Sequence, residues 1–492
     1  MLKRSRALAS VAILAVASGL AAPAWAETLQ EAIALAYRTN PSLLAQRANQ
    51  RSLDESIVQA RAGLRPSLDI TFSGNHAQAY GDMAGFEGDS ASASIGLSQT
   101  IWSGGRIGHG ITAAEAEILA GRENLRDIEQ TVLASVIQAY ADVIRDTEIL
   151  RIRQANLSVL QRQLEESSAR FEVGEITRTD VAQSEARLAQ SEADLANAQA
   201  QLSVSRAFYA SVVGQSPGDL APMPTLPGVP ADFDDALDVA LQDNPGIRAA
   251  VFTLRAAEAN VAAAKAEYMP SARLTATYGG ANSDFDRIGD IGDTTRLTAG
   301  ATVSVPLFTG GLNSSRVAQA MERANAAQIN VEGERRNTLQ SVSSAYAQAL
   351  SARSTLQAGE EAVRAATVAA EGVRQEAQVG LRTTLDVLNQ ELELRNAEVT
   401  LASARRNEYV AQANLLAAMG RLEGPDLDPT LERYDPADNY ERVRNRGALP
   451  WDGVIEAIDR IAAPPIMPAN DAEDAPIDQQ LKSEIIQTAP RD

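Results

Sequence analysis

The chain contains no cysteine, and histidine occurs only at positions 76 and 109. The first absence excludes disulfides and also a lipid carried on an N-terminal cysteine. With His76 and His109 far apart, no metal centre of His/Cys spacing is available. Basic residues are in deficit as well: the formal net charge is −20, and no basic stripe interrupts the acidic balance. So acidic a chain is a poor match for a phosphate backbone, and nucleic acid is not an expected partner. Past residue 20 there is no run of about 18 apolar residues, so no transmembrane helix is available. A membrane would have to be entered as a closed barrel. No Gly-rich phosphate loop or G-x-S-x-G elbow is present, which leaves no enzymatic centre and no cofactor to expect.

The first residues read as a secretory signal. Lys3, Arg4 and Arg6 precede an apolar run from Ala7 to Leu20, and Ala24-Trp25-Ala26 supplies a cleavage site. The run is too short to span a bilayer comfortably. Removing residues 1–26 takes away three positive charges and leaves a formal −23.

Most of the remaining chain is duplicated. Asn40-Pro41 returns as Asn244-Pro245 and Pro66 as Pro270, each shifted by 204. Trp102-Ser103-Gly104-Gly105 returns as Phe308-Thr309-Gly310-Gly311, Tyr140 as Tyr346 and Gly214 as Gly420, all shifted by 206. A period so long is duplication of a domain-sized unit rather than a solenoid. The expected units are 27–213 and 233–420, joined by a Pro/Gly-rich linker at 214–232. After Gly420, residues 421–461 are expected to pack loosely, with Tyr434-Asp435-Pro436 and Leu449-Pro450-Trp451 as anchors. Residues 462–492, rich in proline, acid and glutamine, are expected to form a disordered tail.

Each unit reads helix, strand pair, very long helix, hairpin, helix. Thr28 to Arg38 is a short amphipathic helix, and Asn40 with Pro41 caps a second that runs to about Arg61. Leu68, Ile70 and Phe72 then alternate with polar residues, as a strand with one apolar face does. Residues 75–89 read as a loop, and Ala91 to Ile101 as a second strand. In the second unit, Leu274 to Tyr278 and Leu297 to Leu307 alternate in the same way. Small apolar residues opposite polar ones fit a lipid-facing wall around a wet lumen, the alternative being a half-buried soluble hairpin. Trp102 and Phe308, at the strand ends, are candidates for an interfacial aromatic girdle. Gly104-Gly105 and Gly310-Gly311 would turn strand into helix.

Proline is absent from 106–171 and from 312–378. Leu125, Ile128, Val132, Val136, Tyr140 and Val143 keep the spacing of a packed helix face. Roughly 66 residues at 1.5 Å each give a rod on the order of 100 Å, which needs neighbours along its length. Alanine-heavy faces favour coiled-coil-like packing. Each rod ends in a hairpin signal: Val173-Gly174 before Thr179-Asp180-Val181, and Val379-Gly380 before Thr383 to Asn389. Gly174 and Gly380 stop one helix, and Thr/Asp cap the next. The copies differ in chemistry, since the second carries Arg382 and Asp386 while the first offers Thr179 and Asp180 as partners.

Four strands cannot close a wall, because bacterial barrels start at about eight. Two chains would give eight strands around a filled interior, and three would give twelve with room for a channel. Four helical columns per chain match the larger cylinder, which favours three.

From Glu27 to Gly420 the chain resembles the TolC-type outer-membrane channel proteins of Gram-negative bacteria. The duplicated layout, the Asn-Pro and Gly-Gly signatures and both hairpins carry the likeness, and Gly380 to Leu388 is its most specific stretch. The resemblance implies a mainly α fold with β: a long antiparallel α-barrel continuous with a transmembrane β-barrel, in a homotrimer embedded in outer-membrane lipid. It implies docking to a periplasmic adaptor (membrane fusion protein) and an inner-membrane transporter, for drug efflux or type I protein secretion. It further implies a periplasmic closure near the hairpins, with Asp386 lining the narrowest ring. Asn389 stands where family members carry a second aspartate, and the amide departs from that pattern. Arg382 matches a gating arginine, with Thr179 and Asp180 as its implied partners. Ala377 occupies the place of an aromatic gating partner, so that contact is absent. The rival reading is a periplasmic coiled-coil adaptor without a pore, against which stand two equivalent units in place of one central hairpin.

Overall fold

A computed structural model describes residues 26–78, 87–282 and 295–469. The expected signal lies outside these residues except for Ala26, as does the tail from 470 onward. Helix α1 (Leu29–Thr39) starts at Thr28, whose hydroxyl accepts from the Glu31 amide while the Glu31 carboxylate accepts from the Thr28 amide. This reciprocal pair satisfies two amides that the helix itself leaves free. Asn40 closes α1 and opens α2 (Pro41–Asp54), its side-chain oxygen accepting from Ser42 and Leu43. Expected to run to Arg61, the helix tightens at Glu55 and restarts as α3 (Ser56–Ala62). At the break Asp54 is fully buried and accepts from Gln50 and Asn439. Asn244 repeats the Asn40 device between α6 (Phe233–Asp243) and α7 (Pro245–Lys265).

Strands β1 (Ser67–Gln78), β2 (Glu87–Trp102), β3 (Ser271–Asn282) and β4 (Thr295–Ser304) form one antiparallel sheet in that order. The stretch read as a loop over 75–89 is strand at both ends, with Asn75 opposite Ser90 and His76 opposite Asp89. Polar residues there pair across the ladder, His76 Nδ1 lying 2.7 Å from Asp89, and just outside the stretch the hydroxyls of Ser73 and Ser92 are 2.6 Å apart. β4 does the reverse and stops at Ser304 although the alternation continues to Leu307. Pro306 has no N–H to give the ladder. Ile70, Ile95, Tyr278 and Leu297 align in one row across all four strands, and Leu68, Leu97, Ala276 and Ala299 in another. The large members of these rows are exposed, with Leu68 and Leu297 each at 70%. β1 and β4 are the free edges of the sheet.

Two 67-residue helices, α4 (Arg106–Glu172) and α8 (Leu312–Gln378), run from the sheet. Helix α4 packs along α5 (Arg178–Val213), α7 and α9 (Thr384–Ala418), and α8 packs along α7 and α9. Gly104 and Gly105 make the first strand-to-helix corner at φ of 66° and 87°. Gly310 and Gly311 make the second at 62° and 86°. Side chains there would be strained.

The main core lies midway along the rods. Leu133, Val136, Ile137 and Tyr140 of α4 meet Leu29 and Ile33 of α1, Tyr209 of α5, and Tyr409 and Leu416 of α9. Burying each large aliphatic side chain contributes about 1.5–3 kcal/mol. The Tyr140 hydroxyl donates to the carbonyls of Glu27 and Ala221, at 2.9 and 2.7 Å, and so pins the linker. Burial, helped by the Glu27 charge, pushes its pKa up to about 12.

Residues 421–461 pack more firmly than expected, through α10 (Gly424–Leu427), α11 (Ala437–Val443) and α12 (Asp452–Asp459). The Arg47 guanidinium lies between the rings of Tyr37 and Tyr434, at 4.3 and 4.7 Å. Arg126 pairs with Glu423, and Arg65 with Asp452 at 2.9 Å. Fully buried Asp459 accepts from the Ser103 amide and hydroxyl and from the Gly108 amide. Trp451, expected to anchor, is 47% exposed. The order continues past Ala462, where disorder was expected. Ala463 sits so close to Gly105 that an added Cβ there would fall 2.3 Å away, and the Ala469 amide donates to Glu258 at 3.0 Å. The indole of Trp102, read as a girdle residue, donates to the Ile461 carbonyl at 3.0 Å.

Candidate functional site

The two hairpin ends are built alike. In the first, the amide of Gly174 donates to Phe171 O and that of Glu175 to Arg170 O. In the second, Gly380 donates to Ala377 O and Leu381 to Glu376 O. Both are Schellman ends, and each requires the left-handed backbone that Gly174 and Gly380 adopt at φ 78°. The next helices open on Thr177 and Thr383. Each threonine hydroxyl accepts from the amide three residues on, and the Asp180 or Asp386 carboxylate accepts from the threonine amide in return. Both aspartates are therefore capping residues, a role already legible in the T-x-x-D spacing.

Capping shapes their charge. The Thr383 amide and then its hydroxyl, with Arg382 nearby, hold the Asp386 carboxyl below the ordinary aspartate value. Thr177 does the same for Asp180. One Asp386 oxygen receives both threonine bonds, at 3.0 and 2.8 Å.

Arg382 is placed differently from the implied latch. Its Nε donates to Glu376 at 2.8 Å, within its own hairpin, while Asp180 is engaged by Thr177 and Thr179 is exposed in the first turn of α5. Close to the turns, a bond crosses from one hairpin to the other from Arg187 Nη2 to Asn389 Oδ1, at 2.9 Å. The residues lie 202 positions apart on α5 and α9, and periodicity carries no signal for such a pair. Higher up, Arg406 of α9 reaches Asp142 of α4 at 2.8 Å.

The seams above the turns diverge. Between α4 and α5, buried Ser167 meets Ser184 at 3.2 Å and Asn156 meets Ser191 at 3.1 Å. Between α8 and α9, buried Glu391 takes Arg374 directly and Arg395 at 3.5 Å. At the tips Val173, Val379 and Leu381 are 79%, 72% and 75% exposed. Among the described residues no group of His, Cys, Asp or Glu could hold a metal ion, and no helix is long and apolar enough to cross a membrane.

Comparison with known proteins places this architecture. The family model described as outer membrane efflux protein matches twice, over residues 32–214 and 236–421. The outer membrane efflux protein BepC of Brucella suis biovar 1 (strain 1330) is 34% identical over 433 residues, covering 88% of this chain and 92% of its own. The outer membrane protein TolC of Escherichia coli (strain K12) is 26% identical over 428 residues, covering 83% and 85%. The crystal structure of the open state of the MtrE outer membrane channel of Neisseria gonorrhoeae superposes with a TM-score of 0.69 at 25% identity, covering 80% of this chain and 89% of that one.

Proposed function

The chain belongs to the outer membrane efflux protein family and is an outer-membrane protein with a periplasmic domain; on that premise we propose that three copies form one export channel. In this reading the four-stranded sheets join β1 to β4 into a twelve-stranded wall, and the hairpins below form a periplasmic tunnel. The observation that carries it is the sheet itself: an exposed apolar face bounded by two free edges, set on rods of about 100 Å. Around the ring every edge is paired, and the apolar rows face lipid. The units 27–213 and 233–420 are tandem copies of one ancestral half, which matches the doubled fit of the family model.

The channel conducts passively and performs no chemistry on its cargo. The hairpin tips form the gated end, with Asp386 and Asn389 at the constriction and Arg382 beside them. Three symmetry-related carboxylates near one axis favour cations and hinder anions. The exposed Val173, Val379 and Leu381 offer a periplasmic adaptor an apolar docking rim, through which an inner-membrane transporter is joined.

Outer-membrane fractions run in mild detergent test the assembly, the expected result being a trimer band that collapses on heating. A lone soluble monomer would end this reading. Deleting the coding sequence separates the cargo classes: antibiotic sensitivity marks drug efflux, and loss of a secreted protein marks type I secretion.

A further inference from the structure

We propose that Arg187 is a gate and selectivity residue of this channel, tying the first hairpin to the second through Asn389 and offsetting the charge of Asp386. The inference rests on the channel reading above. Asn389 follows Asp386 by three residues on α9, so the two side chains lie on one helix face, about 5–6 Å apart at Cβ. Arg187 reaches that face from α5 and donates to the Asn389 oxygen at 2.9 Å. The acceptor is a neutral amide. A carboxylate at 389 would cancel the guanidinium charge, whereas the amide fixes its position and leaves the charge intact.

Two neighbouring carboxylates of the second hairpin already have cations, Glu376 being paired with Arg382 and Glu391 with Arg374 and Arg395. Arg187 adds a fixed positive charge to the face that carries Asp386, which Arg382 also approaches, and three copies bring three such charges beside three carboxylates. A ring so balanced selects cations weakly, where bare carboxylates would select them strongly. The same contact holds the lower halves of the hairpins together, so withdrawing Arg187 both frees the closed end and uncovers Asp386.

The test uses the full-length trimer in planar bilayers under a salt gradient, reading conductance and reversal potential. Arg187→Gln keeps a donor but removes the charge, and a several-fold rise in the cation-to-anion permeability ratio is expected. Arg187→Lys should restore the wild-type ratio, which a merely structural role would not require. Arg187→Ala should also raise conductance. Asn389→Asp should lower conductance in the wild-type background and lose that effect in the Arg187→Ala background. Unchanged reversal potential and conductance in both Arg187→Gln and Arg187→Ala, with trimer migration intact, would overturn the proposal while leaving the channel standing. A wild-type protein that opens no channels would end both readings.

Discussion

The hairpins α4–α5 and α8–α9 share a turn and little else. Their glycine, threonine and aspartate positions match bond for bond, but buried Ser/Ser and Asn/Ser contacts lie above one turn, with the Arg153–Asp194 pair beyond them, and a buried glutamate paired with arginine lies above the other. At the opposite ends of the rods the contrast widens. The α4 corner is closed by Asp459, Ala463 and the Trp102 indole. At the α8 corner, Phe308 is 91% exposed and a Cβ on Gly310 would meet nothing within 4 Å. Matching backbone motifs thus tolerate unlike surroundings, because the turn is stabilised by bonds between near neighbours in sequence and the surroundings by distant parts of the chain. The covered half is suited to act as frame, and the bare half to face a second copy.

The largest effect should come from the covered corner. Asp459→Ala strands two buried donors and one half-buried one and is expected to cost about 3–5 kcal/mol. Thr309→Ala, at the corner equivalent to Ser103, should cost well under about 1 kcal/mol. Thermal melts of the detergent-solubilised protein compare them, and equal losses would break the frame-and-bare contrast.

Next is the buried ion pair. Glu391→Gln leaves Arg374 without its carboxylate while Arg395 keeps Glu398 at 2.8 Å, at an expected cost of about 1–3 kcal/mol, since Arg374 is half exposed. Hydrogen exchange should speed up in α8–α9 and stay unchanged in α4–α5. The matching change Ser184→Ala should cost about 1 kcal/mol and act only on the first hairpin.

The aspartates then sharpen the functional side of the contrast. Asp386→Gln removes charge while keeping an acceptor for Thr383, and is expected to raise conductance and weaken block by divalent cations. Asp386→Ala should do the same and also lose the reciprocal bond to the Thr383 amide. Asp180→Gln should move conductance less, and equal changes would place both hairpins at the constriction. Arg382→Ser should raise conductance while leaving the melting temperature unmoved, because its partner Glu376 is an exposed neighbour on the same hairpin.

The smallest effect is one of pH. Both aspartates sit below their ordinary value of 3.8 when folded, because the threonines donate to the ionised form. Their stabilisation is therefore complete above about pH 4 and is lost as acid takes the pH down through the folded-state values. The two tips should loosen together under acid. A chain free of cysteine lets a single spin label at Glu175→Cys or Leu381→Cys report it. Loosening of one tip alone would break the equivalence of the turns.

Much of this was legible locally. Proline-free stretches marked both rods, Asn-Pro marked two helix junctions, and paired glycines marked both corners, because each acts on its own few bonds. The T-x-x-D spacing was equally available, yet Thr179 drew attention while Thr177 makes the cap. The polar stretch 75–89 hid its strands because alternation fades where polar side chains pair across the ladder. The order of residues 463–469 was hidden for a different reason: a proline-rich composition says nothing about a distant glycine with room for one methyl group.

By itself the sequence determined the inventory: two long rods, two sharp turns, four alternating segments and an acidic surface without thiols. Backbone geometry and hydrophobic period are properties of neighbouring residues, so they can be read from neighbours. Tertiary structure alone decided which half is covered and which arginine reaches across to Asn389. Those outcomes depend on side chains brought within about 3 Å from distant parts of the chain, and linear spacing does not encode that distance.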